Sequence, residues 1–145
     1  MMKIAVLATT IVAAAAFLAP AAPTLAAPYF NKSVKCQETD PEGRVIPTRV
    51  GNSALGRNHF SSKHNIRTCK IISAAVRDKV DKKEGGRLEH WGVAYKGRQI
   101  VDFVVIAQYT RKTADRQYDA GEGQVIGVVT AYCRRMTECP DWMNP

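Results

Sequence analysis

His59 and His64 stand five residues apart in the segment NHFSSKHNIRTC (residues 58–69), with Lys63 and Arg67 beside them and a cysteine at its end. Imidazole titrates near neutral pH, so one histidine can take a proton and a second can give one in successive steps. Cleavage of an RNA backbone through its own 2′-hydroxyl needs such a pair and calls for no metal or cofactor. Lys63 and Arg67 would stabilise the charge that builds on the phosphate. The same segment also suits a plain basic face of an exported protein, because titratable residues cluster for structural reasons too.

Residues five apart on a helix point about 140° away from each other. A site using both imidazoles therefore requires His59 in the turn leading into a helix and His64 in its first turn. A second pair of candidates is Thr130 and Tyr132, which strand alternation puts on one face of a closing strand, with Val128 and Ile126 before them. Hydroxyls there would orient a phosphate or a base. Equally, Thr130 suits a pleated strand and Tyr132 can cap a core. Arg98 and Arg111, with Lys112, Arg116, Tyr109 and Tyr118, supply the basic and aromatic groups that hold single-stranded nucleic acid. A solvated charged loop reads the same way. His90 is expected to be structural or on the surface, and Asp102, inside an apolar run, is expected either to face solvent or to be buried and paired.

Absent patterns narrow the chemistry. The chain has no glycine-rich phosphate loop, GxSxG elbow or HExxH, and no pair of carboxylates at readable catalytic spacing. The four cysteines Cys36, Cys69, Cys133 and Cys139 show no CxxC and no finger-type distance to the histidines, so zinc is not indicated. In an exported chain two disulfides are the default, which argues against a cysteine nucleophile. Of the three pairings, the preferred one joins Cys133 to Cys139 across a short loop and Cys36 to Cys69 between an N-terminal arm and the central segment.

Export itself is read from residues 1–26, where Lys3 precedes an apolar run and a small-residue tail ending Ala26, the form of a secretory signal peptide. No later run is long enough to span a bilayer, so stable membrane insertion is not expected. Residues 27–145 then make a single secreted domain of roughly 120 residues, enough for one core. The formal net charge of +8 favours an anionic partner such as RNA, or adhesion to an anionic envelope. A monomer is the expected state.

The elements follow from periodicity. Residues 27–57, with Pro28, Pro41 and Pro47, read as an irregular arm with at most one short edge strand. Ile66, Cys69, Ile72, Val76 and Val80 recur at three and four residues and predict one helix over residues 61–80, stopped by Gly85 and Gly86. After that the period becomes two: a hairpin turning at Lys96 and Gly97, a long polar loop over residues 110–123, and a central last strand over residues 124–133. The core thus covers residues 58–133 and a disulfide-tied tail covers 134–145. The expected fold class is α+β, one main helix packed on an antiparallel meander of three to four strands.

His59, Lys63 and His64, then a helix, a hairpin and a closing strand ending Val-Val-Thr-Ala-Tyr (residues 128–132), together resemble the superfamily of small ribonuclease toxins that includes barnase, EndoU, colicin and RelE nucleases. The resemblance covers roughly residues 58–133. It implies an active site on the concave face of the sheet, His59 and His64 as acid and base, Thr130 and Tyr132 positioning the scissile phosphate, and Lys63 as an accessory. A toxic activity would also imply a cognate inhibitor protein in the producing cell. The contrasting expectation is a non-enzymatic, disulfide-bonded basic binding protein, either an inhibitor of a foreign enzyme or an envelope-associated factor.

Overall fold

The computed structural model describes residues 19–23 and 26–145, so the signal peptide expected over residues 1–26 lies for the most part outside the described residues. The elements are β1 (Asn31–Thr39), β2 (Val45–Gly51), α1 (Arg57–His64), α2 (Cys69–Arg77), β3 (Lys82–Glu84), β4 (Arg87–Lys96), β5 (Gln99–Gln108), β6 (Gly127–Cys133) and a single 3-10 turn (Asp141–Met143). β1 and β2 form a two-stranded antiparallel sheet. The remaining strands make an antiparallel meander in the order β3-β4-β5-β6. The class is α+β, with two disulfides, Cys36–Cys69 and Cys133–Cys139. No helix among the described residues is long and apolar enough to cross a membrane.

The hairpin after Gly86 folds as its alternation predicts. β4 and β5 pair without a break from Arg87↔Gln108 to Lys96↔Gln99, closed by Gly97 at the left-handed position of the turn. Leu88, His90, Gly92 and Ala94 point to one side with Val101, Phe103, Val105 and Ala107 opposite them. Gly92 has a packing reason, since a Cβ there would run into the Phe103 ring. The core lies between this side of the sheet and the helices, which contribute Phe60, Ile72, Ala75 and Val76, with Ile66 from the link between them. A smaller cluster of Phe30, Leu55, Ala120 and Ile126, backed by Tyr118 and Val129, anchors the long loop to the start of β6.

Three expectations are corrected. The arm over residues 27–57 is not irregular but carries the β1–β2 hairpin. Its prolines sit where a two-stranded ribbon tolerates them, Pro41 in the turn and Pro47 within β2. The buried Asp40 carboxylate organises that turn, accepting the Glu42 and Arg44 amides and pairing with the Arg44 guanidinium at 2.7 Å. The single helix over residues 61–80 is in fact two. Asn65 adopts the left-handed conformation (φ 56°) that ends α1, and its side chain donates to the Cys139 carbonyl and the Asp141 carboxylate at 2.9 Å each. Ile66 is fully buried without being helical, so a helical apolar period survives a chain reversal that periodicity cannot reveal. Finally, the main sheet has a fourth strand, β3, paired with β4 because Gly85 and Gly86 turn a hairpin where a helix stop is predicted.

Candidate functional site

β6 is the last strand of the meander, and its outer edge receives the start of α1: the Gly56 amide donates to the Val129 carbonyl at 2.9 Å. Phe60, 1% exposed, anchors the helix into the core. His59 then falls in the first turn of α1 and His64 is its last residue, rather than one before the helix and one in its first turn. The offset around the helix does not separate them. Their rings stand edge to face with centroids 5.6 Å apart, and the His64 ring in turn lies 5.9 Å from the Tyr132 ring.

Each imidazole is held by a backbone carbonyl through the same nitrogen. His59 Nδ1 lies 2.8 Å from the Ser53 oxygen and His64 Nδ1 lies 3.3 Å from the Thr137 oxygen. A carbonyl only accepts, so both Nδ1 atoms carry the proton, and Nε2 is the atom each ring has free for exchange. Partial burial pushes the His64 pKa down, with His59 and Lys63 adding in the same direction, while the bond to Thr137 opposes them. The tail that supplies Thr137 is itself tied to α1 by the Cys139 amide on the His64 carbonyl (2.9 Å) and to β6 by the Cys133–Cys139 disulfide.

Thr130 and Tyr132 share the sheet face turned away from the helices, opposite Ile106 and Val104 of β5. Val128 does not share it. A bulge between Ile106 and Ala107 leaves Val129 extra and returns Val128 to the core side, so the expected alternation holds only from Thr130 onward. Thr130 Oγ1 is buried and has no hydrogen-bond partner among the described residues. Tyr132 lines an open depression of about 490 Å³ with Asp102, Arg134 and Arg135. Next to it the Arg134 guanidinium stacks over the Trp91 ring, 4.7 Å from its centroid.

The other expected site residues divide. Lys63 is exposed beside His64. Arg67 is committed to the tail: its guanidinium pairs with Asp141 at 2.9 Å and its amide donates to Asn144 at 2.6 Å. Arg98 occupies the β4–β5 turn, six residues from Val104, the β5 partner of Tyr132, or about 20 Å at strand rise. Arg111 pairs with Asp119 at 2.7 Å inside the long loop. The cations that do flank the site are Arg134 and Arg135. Their signal was legible: they directly follow the strand that carries Tyr132, and alternation from Tyr132 puts Arg134 on the same face. His90 is fully buried, with neither ring nitrogen hydrogen-bonded among the described residues. Asp102 is half-exposed, 3.5 Å from Arg135.

Among the described residues no three His, Cys, Asp or Glu side chains gather as metal ligands would. Comparison with protein-family models, curated proteins and solved structures finds no match for this chain.

Proposed function

We propose that the protein is an exported, metal-independent endoribonuclease of the barnase, EndoU, colicin and RelE kind, acting as a toxin or on extracellular RNA. The observation that carries this reading is the convergence of His59 and His64 from α1 with Tyr132 from β6, two rings at 5.6 Å and two at 5.9 Å. These are the residues that the resemblance singles out, and they come from opposite ends of the domain. His64, whose pKa is lowered, is neutral at neutral pH and takes the proton of the ribose 2′-hydroxyl on Nε2. His59 delivers a proton to the leaving 5′-oxygen, and the product is a 2′,3′-cyclic phosphate. The Tyr132 hydroxyl holds the phosphate, while Thr130, whose Oγ1 is buried, supports the strand beneath it; Lys63, Arg134 and Arg135 offset the growing charge on the phosphate. A producer of such an activity needs protection from it, either by a cognate inhibitor or because the domain matures only after export.

Incubation of the oxidised protein with total RNA in EDTA is expected to give fragments, and His59→Ala and His64→Ala are each expected to abolish them. Intact RNA with the wild-type protein contradicts the proposal. A second reading, a non-enzymatic secreted binding protein, is favoured by the exposed apolar strip of Trp91, Val93, Tyr95 and Ile100 on the same sheet face. It predicts intact RNA and unchanged partner binding in both histidine variants.

A further inference from the structure

The β4–β5 hairpin outruns both strands that flank it among the described residues. β3 pairs with β4 only as far as Glu89, and β6 pairs with β5 only from Phe103 towards Gln108. Residues 93–102 therefore form a two-stranded projection. Its inner side is covered, since Val101 is buried and Ala94 packs against the core. Its outer side is bare. Tyr95 and Ile100 stand directly opposite each other there, 68% and 63% exposed, and Val93 and Trp91 follow along β4 on the same side. An aromatic and a β-branched side chain paired in water leave hydrophobic free energy that covering them would recover.

Charge narrows what can cover the strip. The turn between Tyr95 and Ile100 carries Lys96 and Arg98, both exposed, and residues 91–100 (WGVAYKGRQI) contain no carboxylate. The acids at its two borders are occupied: Asp102 faces Arg135 at 3.5 Å, and Glu89 pairs with Arg87 and accepts from the Trp91 indole. A second copy would bring the same cations against Lys96 and Arg98, and the centre of a protein interface is depleted of charge. A surface that is apolar within and anionic at its rim fits instead. On an anionic bilayer Tyr95 and Ile100 reach the acyl boundary with the tyrosine hydroxyl at headgroup level, while the long Lys96 and Arg98 chains turn back to the phosphates.

We infer that the tip of the β4–β5 hairpin docks the protein on anionic lipid, with Tyr95 and Ile100 inserted and Lys96 and Arg98 on the headgroups. The association is reversible, because so small an apolar area anchors only weakly. It does not rest on the ribonuclease reading. Ile100 lies four residues along β5 from Val104, the partner of Tyr132, or about 14 Å at strand rise, so the lipid contact is separate from the Tyr132 depression.

The oxidised protein is sedimented with vesicles of phosphatidylcholine, alone or mixed with phosphatidylglycerol. Binding is expected to the mixed vesicles only. Lys96→Gln with Arg98→Gln should weaken it by about tenfold or more, and Tyr95→Ser with Ile100→Ser should weaken it several-fold at unchanged charge. Both double variants replace exposed side chains and should keep the wild-type circular dichroism. Tyr95→Trp places a reporter at the tip, and lipids brominated on the acyl chain should quench it. Absence of binding to mixed vesicles overturns the inference, as does sedimentation without quenching of that reporter. Binding undiminished in both double variants assigns the effect to net charge alone and also overturns it. A wild-type dimer without lipid affinity, dissociated by Tyr95→Ser with Ile100→Ser, would give the strip to a second copy instead.

Discussion

His59 and His64 are equivalent in how they are tethered and different in where they lie. Both give Nδ1–H to a main-chain carbonyl, which fixes one tautomer and frees Nε2, but His64 is packed against Tyr132 and carries Lys63 as its neighbour in the chain. Because its folded pKa is lowered, the base form persists below the ordinary value of about 6.5. The acid limb of the kcat/KM profile is therefore expected to fall below that value, and Lys63→Gln, which removes one of the lowering charges, should move it upward. A limb at or above the ordinary imidazole value would separate His64 from the base role. Loss of either imidazole should reduce cleavage by about 10²–10⁴-fold, read in single-turnover assays. His90 gives a separate effect. Burial pushes its pKa down, against Asp40 and Asp81, which raise it, and with Arg44, which lowers it. The unfolded chain then binds the proton first as pH falls, so His90 stabilises the fold fully above about 6.5 and loses that contribution as pH drops through its lower folded value. Urea midpoints measured across this window should decline with acid in the wild type and decline less in His90→Leu.

At the scale of elements, the site depends on α1 ending where it does. Asn65 supplies the left-handed residue and two side-chain bonds to the tail, so Asn65→Ala should destabilise the fold by about 1–3 kcal/mol. Asn65→Gly, which keeps the backbone conformation, should cost less; equal effects would place the whole contribution in the side-chain bonds. The tail that fixes His64 is closed by Cys133–Cys139, and Cys139→Ser is expected to lower cleavage more than it lowers stability at assay temperature, as read by activity beside circular dichroism. This is also where the sequence could and could not be read. The β4–β5 hairpin was legible from period two and the turn glycine, whereas the two disulfides match the preferred one of three pairings, for which only the short Cys133–Cys139 loop gave a physical reason. The break at Asn65 was hidden because Ile66 continues the apolar spacing while leaving the helix. The bulge at Val129 was hidden because a single extra residue is set by the partner strand, and it decides which face Thr130 and Tyr132 take. The proximity of the His59, His64 and Tyr132 rings was posed by the sequence as a long-range contact that only the fold could supply. Arg67 and Arg111 pair with Asp141 and Asp119, and Arg98 lies in the β4–β5 turn, placements that charge alone does not foretell.

Taken whole, the proposed ribonuclease reading puts the substrate along one sheet face, past the ring cluster at the β6 edge and then Tyr132, Arg134 and Trp91. The formal net charge of +8 favours a polyanion as the partner in that proposal. RNA affinity should accordingly fall linearly with the logarithm of salt concentration, and Arg134→Ala should reduce that slope by about 0.7, as for one phosphate contact on a single strand. Arg98→Ala, at the distant hairpin turn, should leave the slope nearly unchanged, and the reverse pattern would put the track elsewhere. The central claim is that the 2′-hydroxyl is the nucleophile at the His59–His64 pair. The most direct measurement uses a short RNA cut at one bond by the oxidised protein in EDTA, beside the same oligonucleotide with a single 2′-deoxy sugar on the 5′ side of that bond. A 2′,3′-cyclic phosphate end is expected from the first and no cut from the second; cleavage of the deoxy-substituted bond, or a first product without the cyclic phosphate, rules the 2′-hydroxyl out as nucleophile.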